Sequence, residues 1–186
     1  MKANSLDLNN EALVAGLQDG LSGAQPQMSE KEREATLTAF EQDLMNKETE
    51  RLKQLAEKNK KEGADFLAAN KAKEGVKTLP SGLQYKVIAE GNGAQPKPTD
   101  QITVNYRGTL LDGTEFDSSY KRGEPVTFPV NGVIKAWSEA LPLMKTGAKW
   151  QLFVPADLAY GEKGAGRSIG PNSTLIFEVE LVGIKS

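Results

Sequence analysis

Three acidic residues in one short stretch, Asp112, Glu115 and Asp117, are the first candidates for chemistry in this sequence. Two suitably spaced carboxylates can perform the acid and nucleophile or base steps of glycoside hydrolysis. However, Asp112 and Gly113 separate two apolar runs in the segment LDGTEF, which is typical of a β-hairpin. A turn followed by a solvated strand therefore explains Asp112 and Glu115 without any chemistry.

The sequence contains no cysteine and no histidine. This excludes disulfides, cysteine nucleophiles, Ser-His-Asp triads and zinc sites made from the usual ligands. Any reaction must proceed without a side chain that exchanges protons near neutral pH. We accordingly expect no metal and no cofactor. The lack of cysteine fits both the cytosol and the periplasm and does not separate them.

The segment GEKGAG (161 to 166) has the glycine density of a nucleotide-binding loop. A phosphate-binding loop is normally followed by a helix. Here no helix-periodic stretch follows, and Pro171 arrives instead. The pattern therefore does not favour phosphate binding.

The segment VIKAWSEALPLMKTG (133 to 147) carries Trp137, one of only two tryptophans. Its apolar residues recur at helical spacing, and Pro142 limits a regular helix to roughly two turns. Such a helix can cover one face of a curved antiparallel sheet. On periodicity alone, Trp137 is more simply read as filling the space between helix and sheet than as a functional residue.

The elements that would position these residues are strands. Alternating polar and apolar residues predict strands at 83 to 88, 101 to 111, 126 to 130, 149 to 155 and 174 to 182, and GNGAQPKPTD (91 to 100) is typical of a loop. In the last strand Glu178 and Glu180 share one face. The apolar residues on its other face are Leu175, Phe177, Val179 and Leu181. We therefore expect one face to pack and the other to meet water.

The composition changes near Gly75, so we predict a helical segment at 1–75 and a second domain at 76–186. In the first part Asn9 or Asn10 can cap a helix that runs through about Leu21. A second helix begins at SEKE, where Ser29 and Glu32 have capping-box spacing, and extends for about forty residues. The polar runs 46 to 51 and 57 to 63 leave its apolar stripe thin, so we expect that it is not buried along its length.

Two interpretations of this helical segment remain open. It is either a stalk whose apolar N-terminal end pairs with another chain, or a poorly ordered tail. The runs LNNEALVAGLQDGL and LTAFEQDLM favour the stalk, because they offer more apolar surface than two short helices can hide from water. Our hypothesis is that this end is a homodimerisation element.

The formal net charge is −2, so the chain has no strong electrostatic attraction for nucleic acid or anionic lipid. No run of about 18 apolar residues occurs, and we expect no membrane span. The segment MKANSLDLNNEAL has a single Lys and no apolar stretch, so it does not resemble a signal peptide. A processed chain would look the same, and the compartment stays open.

About residues 80 to 184 resemble the FKBP-type peptidyl-prolyl isomerase domain. The resemblance is carried by DGTEFDSS, VIKAW, LAYG and GPNSTLIFEVEL, which agree with the family in order and separation. The preceding part, with EALVAGLQDGLSG, the long charged helix and GVKTLPSGLQYKVI, resembles the Mip subfamily of bacterial isomerases. In that subfamily two chains intertwine through N-terminal helices into a V-shaped dimer. The implied fold class is α+β: N-terminal helices with one long connecting helix, then an antiparallel half-barrel sheet wrapped round a short helix.

The resemblance implies a pocket with Trp137 as the floor beneath a substrate proline ring. Backbone N–H and hydroxyl groups at the Ile134 and Tyr160 positions donate hydrogen bonds to ligand carbonyls in the family. Carried over by motif position, the catalytic residues are Tyr106, Phe116, Asp117, Trp137, Tyr160 and Phe177, and the substrate-binding residues are Arg122, Val126, Phe128, Val133, Ile134, Ala165 and Ile169.

Asp117 has two interpretations. In the family its position belongs to a polar network with residues such as Tyr106 and Arg122. Alternatively, its carboxylate forms a local Asx-turn with Ser118 and Ser119. The residues alone do not decide between a catalytic role and a turn.

The chain departs from the family directly before Trp137, where Lys135 and Ala136 replace the common X-Gly pair. We expect the Ala136 methyl to narrow the approach or stiffen the helix start, and Lys135 to place a charge near the rim. Val126 and Ala165 stand where some members carry Phe and His, so the specificity of those members does not transfer. The subfamily's usual first helix would precede residue 1, and such trimming would weaken the dimer contact.

The implied function is the acceleration of X-Pro isomerisation in folding clients by a non-covalent apolar pocket, with chaperone activity aided by the helical segment. The alternative is a holdase-type chaperone or proline-segment binding module with little turnover. Expected partners are unfolded or partly folded proline-containing proteins, macrolides such as tacrolimus and rapamycin, and a second copy of the chain. By resemblance we expect the bacterial periplasm or cell envelope, with the cytoplasm as the alternative.

Overall fold

The structure is a computed structural model that describes residues 9–23, 25 and 28–185. The chain divides into two compact units, one up to Thr49 and one from Glu50 onward. One long helix contributes residues to both, and each unit is described by itself. None of the described helices has the length and apolar character needed to cross a bilayer.

Helix α1 (Asn10–Ser22) lies in the first unit. The side chain of Asn9 accepts hydrogen bonds from the backbone N–H groups of Glu11 and Ala12 at 3.0 and 3.1 Å. Gly23 ends the helix with a φ of 68°, which glycine adopts without strain. The predicted cap and end of this helix are confirmed. More than half of each of four apolar side chains is exposed, those of Leu13, Val14, Leu17 and Leu21.

Helix α2 (Glu30–Asn70) has 41 residues. Its first turn is closed by the predicted capping box: the backbone N–H of Ser29 donates to Glu32 Oε2 at 2.8 Å, and the N–H of Glu32 donates to Ser29 Oγ at 3.3 Å. Gly63 and Asn70 are its only buried residues in the described part of the chain. The predicted start, length and exposure are therefore confirmed.

The second unit contains an antiparallel sheet of seven strands. Their bounds are β1 (Val76–Thr78), β2 (Gln84–Ala89), β3 (Gln101–Leu110), β4 (Glu115–Ser118), β5 (Val126–Pro129), β6 (Lys149–Val154) and β7 (Leu175–Lys185). The strand order is β1-β2-β6-β7-β3-β4, and β5 pairs with β3 beside β4. The five predicted strands are present within a few residues. β4 was not among them but follows the predicted hairpin turn, and β1 was not predicted, because three residues are too few to show an alternation.

The core lies on one face of this sheet. Along β3 the buried residues are Ile102, Val104, Tyr106 and Gly108, and along β7 they are Leu175, Phe177, Val179 and Leu181. Glu178 and Glu180 lie between them and face the other side, as predicted. The two strands are neighbours in the sheet, with Gly108 opposite Phe177 and Tyr106 opposite Val179.

Two short helices complete this unit. Helix α3 (Ser119–Arg122) follows β4 directly, and helix α4 (Lys135–Ala140) is followed by a 3-10 turn at Leu141–Leu143 that contains Pro142. Ala136, Trp137 and Ala140 of α4 are buried in the core of the sheet. The predicted two-turn helix and the α+β fold class are thus confirmed.

The C-terminal part of α2 packs on the opposite face of the sheet within the second unit. The rings of Phe66 and Phe153 lie 5.9 Å apart. Asn70 Nδ2 donates to Gln84 Oε1 at 3.0 Å, and Gln84 Nε2 donates to the carbonyl of Leu67 at 2.8 Å. Residues 50–70 therefore belong to the same compact unit as the sheet. The domain boundary at residue 75 stays a prediction.

Candidate active site

Aromatic rings from three strands converge on Trp137. The ring centroids of Tyr106, Phe177 and Phe128 lie 5.2, 5.4 and 6.1 Å from that of Trp137, each nearly perpendicular to it. Perpendicular packing places the positive edge of one ring against the negative face of another. Trp137 is only 4% exposed. The sheet and the short helix α4 thus surround an indole with apolar side chains.

Phe116 extends this cluster from β4. Its ring meets Phe177 edge-on with the centroids 5.5 Å apart. Gly108 on β3 lies directly beneath both rings, because a Cβ there would fall 2.5 Å from Phe116 Cζ and 2.9 Å from Phe177 Cε1. Any side chain at this position would displace both rings. Sequence reasoning missed Gly108, although a glycine inside a strand is a signal of close approach.

A polar network borders the cluster at Tyr106. Its hydroxyl donates to Asp117 Oδ2 at 2.5 Å, and the Arg122 guanidinium donates to Asp117 Oδ1 at 2.6 Å and to the Tyr106 hydroxyl at 2.7 Å. Burial raises the pKa of the Asp117 carboxyl, but the hydrogen bonds from Tyr106 and Arg122 outweigh it and hold that pKa below its ordinary value. The carboxylate is therefore ionised at neutral pH.

Burial raises the pKa of Tyr106, and the hydrogen bond to Asp117 acts in the same direction, because both disfavour the phenolate; the nearby Arg122 opposes them without reversing the shift. Tyr106 thus remains a donor at neutral pH. The two carboxylate oxygens of Asp117 are engaged by Tyr106 and Arg122, which places this residue in the network that the resemblance implied. Its role in catalysis stays a prediction.

Ser119 holds this network in place and was not predicted. It is fully buried, and its Oγ accepts a hydrogen bond from the backbone N–H of Tyr106 at 2.9 Å. This contact ties the start of α3 to β3, so that Arg122 reaches Asp117 from the end of the same short helix. The sequence carries no separate signal for it, because serine is common at turns and helix starts.

The remaining predicted residues lie on three further segments. Val126 is on β5, while Val133 and Ile134 precede α4; all three are partly buried and pack against the core, as does Ala165. Ile169 is buried and pairs with Ala165 through two backbone hydrogen bonds of 2.9 and 3.1 Å. Among the residues that the structure describes, the backbone N–H of Ile134 donates no hydrogen bond.

Tyr160 lies after β6 and is 40% exposed. Burial of part of its ring raises the pKa of its hydroxyl, and the charge of Asp117 acts in the same direction. The group is therefore a neutral hydrogen-bond donor at physiological pH.

The two unusual residues before Trp137 differ in exposure. Ala136 is fully buried in the core, so its methyl contributes to packing, whereas Lys135 is exposed. In the described part of the chain no three His, Cys, Asp or Glu side chains are grouped as metal ligands would be. The arrangement can hold an apolar ring over an indole and donate hydrogen bonds from its edge.

Comparison with known proteins places this site in context. Residues 92–182 match the model of the FKBP-type peptidyl-prolyl cis-trans isomerases, and residues 1–87 match the model of the domain amino terminal to them. The chain is 50% identical to the outer membrane protein MIP of Legionella longbeachae over 99% of its own length and 79% of that protein. It is 48% identical to the peptidyl-prolyl cis-trans isomerase Mip of Coxiella burnetii, with coverage of 99% and 80%.

Solved structures agree with the sequence matches. The crystal structure of FkpA from Escherichia coli superimposes with a TM-score of 0.83 at 42% identity, over 97% of this chain and 84% of that one. A peptidyl-prolyl cis-trans isomerase from Pseudomonas syringae matches 70% of this chain and 96% of its own with a TM-score of 0.66 at 40% identity.

Proposed function

This chain belongs to the family of FKBP-type peptidyl-prolyl cis-trans isomerases, and we propose from that premise how its pocket accelerates the reaction. The proposal is that a substrate proline ring lies over Trp137 between Tyr106, Phe116 and Phe177. The observation that supports it is that the rings of Tyr106 and Phe177 pack on the buried indole of Trp137, while Phe116 packs on Phe177.

The chemistry needs no covalent step. The barrier to rotation about the peptide bond is about 18–20 kcal/mol, because twisting the C–N bond breaks its resonance. At the twisted state the nitrogen becomes more amine-like, and a dry aromatic surface holds that form as well as water does. The planar amide keeps a polarised carbonyl that prefers water, so a dry pocket favours the twisted form. Each 1.4 kcal/mol of that preference raises the rate by about tenfold.

Hydrogen bonds at the pocket edge orient the peptide. We assign this role to the Tyr160 hydroxyl and the backbone N–H of Ile134, for which the described part of the chain supplies no hydrogen-bond acceptor. These donors hold the peptide with its amide over the pocket in the planar and the twisted form alike, so they contribute mainly to binding and placement. Because the aromatic rings favour the twisted amide and the edge donors orient the peptide, a chain without cysteine or histidine can be an enzyme.

Two substitutions test the pocket. Phe116→Ala removes a wall, and Asp117→Leu removes the carboxylate that joins Tyr106 to Arg122. Each should lower turnover on an X-Pro peptide more than tenfold while thermal unfolding stays cooperative. Phe40→Ala, an exposed phenylalanine of the first unit, is the matched control and should leave turnover on a short peptide unchanged. Unchanged turnover in both pocket variants rejects the site as assigned.

We propose that macrolides such as tacrolimus and rapamycin occupy the same pocket. Binding should quench or shift the fluorescence of Trp137 and inhibit turnover at the same concentration. Trp150 dilutes this signal, because it is the second tryptophan and stacks on Tyr85 with the ring centroids 4.4 Å apart. A titration that inhibits without any fluorescence change, in a Trp150→Phe background, would contradict the placement over Trp137.

We further propose that the first unit pairs with a second copy of the chain. It leaves large apolar side chains exposed on both of its helices, including Leu17 and Leu21 on α1 and Leu37, Phe40 and Met45 on α2. Covering such surface is favourable by roughly 25 cal/mol per Å². Sedimentation at micromolar concentration should show a dimer, and a monomer alone would count against the proposal.

The same exposed residues support a second candidate, a holdase-type chaperone activity with little need for turnover. Apolar surface of this kind also binds unfolded chains. A refolding assay limited by proline isomerisation, run beside an aggregation assay with a proline-independent client, separates the two activities. Suppressed aggregation in the Phe116→Ala variant would support a chaperone contribution that does not need the pocket.

For localisation we propose the bacterial periplasm or cell envelope, with the cytoplasm as the alternative. The support is that one relative is named an outer membrane protein. Fractionation of cells that express the natural gene would decide, because periplasmic extracts are released by osmotic shock without cytoplasmic markers. Recovery with the cytoplasmic markers would reject the envelope.

A further inference from the structure

The loop between β6 and β7 carries three of the predicted site residues, Tyr160, Ala165 and Ile169. It is held mainly by bonds within itself: Ala165 and Ile169 form a two-way backbone bridge, and the N–H of Asn172 donates to the carbonyl of Gly161 at 2.9 Å. Asn172 has a φ of 55°, an uncommon conformation for a residue with a side chain. Because the loop bonds largely to itself, contacts from outside must set its position against the pocket.

Helix α2 supplies such a contact through Asn59. Its Nδ2 donates to the carbonyl of Pro171 at 2.7 Å and lies 3.3 Å from Ser173 Oγ. Ser173 in turn donates to the carbonyl of Gly170 at 2.9 Å. The Asn59 amide thus contacts residues 171 and 173, which follow Ile169 in the loop. Through the Asn172–Gly161 hydrogen bond the same contact reaches the residue next to Tyr160.

Helix α2 and the loop between β6 and β7 approach closely enough for this contact to be direct. A Cβ at Gly170 would lie 3.1 Å from Leu55 Cδ2 and 3.3 Å from Asn59 Nδ2. Gly63, one turn further along the helix, is buried, and a Cβ there would overlap the side chain of Thr174. One glycine on each surface therefore allows the helix and the loop backbone to meet. Both belong to the compact unit from Glu50 onward.

We propose that Asn59 is a positioning residue of the isomerase: its amide holds residues 170–173, and through them the pocket wall that Tyr160, Ala165 and Ile169 form. The inference rests on the proposed function. It gives part of the connecting helix a role in shaping the substrate site. Asn59 lies in a stretch of charged residues that the sequence pattern assigned to solvent.

The first test compares Asn59→Ala with Lys60→Ala in the full chain. Lys60 is the exposed neighbour on the same helix and serves as the control. For Asn59→Ala we expect KM on an X-Pro peptide to rise about three- to tenfold with kcat within about twofold, because orienting contacts act on bound substrate and transition state alike. An Asn59→Asp variant keeps the shape but presents an acceptor to the Pro171 carbonyl, and it should be no better than alanine.

A double-mutant cycle separates positioning from general loss of stability. If Asn59 acts through the loop, the fold-loss of kcat/KM that Asn59→Ala causes should shrink by at least half in a Tyr160→Phe background. The same fold-loss should stay unchanged in a Tyr106→Phe background. Tyr106 is on β3, and its hydroxyl bonds Asp117 and Arg122, neither of which belongs to the loop. Fully additive effects in the Tyr160→Phe background, or an unchanged KM for Asn59→Ala, would overturn the proposal.

Hydrogen exchange gives a readout that does not need activity. The amide of Asn172 should exchange at least about fivefold faster in Asn59→Ala than in Lys60→Ala, since local opening becomes easier when the loop loses its external bond. Equal exchange rates of the Asn172 amide in the two variants would contradict the proposal that Asn59 holds the loop. An inactive parent chain would instead reject the proposed function, and exchange would still decide whether Asn59 holds the loop.

Discussion

Replacing Gly108 by alanine tests the pocket with a single methyl group. Gly108 lies on β3 opposite Phe177, and its φ is not in the left-handed region that favours glycine. The backbone therefore accepts alanine without strain. In the middle of a strand, replacing glycine by alanine is ordinarily favourable by roughly 0.5–1 kcal/mol. Any loss of stability or activity must therefore come from the space that the new methyl group takes.

The distances in the structure set the expected size of the loss of stability and activity. The new Cβ would lie 2.5 and 2.6 Å from two carbons of the Phe116 ring and 2.9 Å from one of Phe177. Carbon atoms in contact are normally about 3.5–4.0 Å apart, so both rings must move by roughly 1 Å. Overpacking of this kind costs about 1–3 kcal/mol. A shift of about 1 Å in a site can lower the rate about a hundredfold.

We therefore expect Gly108→Ala to lower kcat/KM on an X-Pro peptide by about ten- to a hundredfold, while the thermal midpoint falls by about 2–10 °C. Gly183→Ala is the matched control. Gly183 is on β7, and no atom lies within 4 Å of its added Cβ. If Gly108→Ala keeps kcat/KM within twofold of this control, the two rings do not line the substrate site and our reasoning is wrong.

Two further predictions concern the charged network and the helix contact. Because the folded-state pKa of Asp117 is lowered, the stability it contributes is present above its unfolded pKa of about 3.9 and is lost as pH falls through the folded value. The thermal midpoint and kcat/KM should be level from pH 8 to about 5 and fall only below about 4; a loss centred near pH 6 would contradict the network. Gly63→Ala should lower the thermal midpoint, because the methyl overlaps Thr174, although alanine is the better helix former by about 1 kcal/mol. Gly16→Ala on α1, which meets nothing within 4 Å, should not lower it, and equal midpoints would argue against the helix contact.

The candidate site residues were assigned by the resemblance of their motifs to the family, and their roles stay predictions. The local patterns alone placed Trp137 on a short apolar helix, where they favoured a packing role, and Asp117 after a hairpin turn. Gly108 and Ser119 were not singled out, since their importance comes from neighbours on other strands. A glycine and a serine look ordinary in sequence, but one lies beneath two rings and the other bonds the backbone of Tyr106.

The sequence by itself determined the local structure. The cap at Asn9 and the capping box at Ser29 are closed by residues within a few positions, and the alternation along β7 shows in the strand's own residues. Such patterns state whether a face is buried, but they do not say which element covers it.

The tertiary structure alone decided which elements meet. Asn59 and Pro171 are separated by 112 residues in sequence and by 2.7 Å in the fold. In the sequence, a polar side chain among the charged residues of a helix looks solvated. Only the folded unit brings a distant partner within reach, because the packing of the whole unit offsets the entropy cost of bringing distant segments together. For this reason residues 50–70, which read as a stalk, were found packed with the sheet.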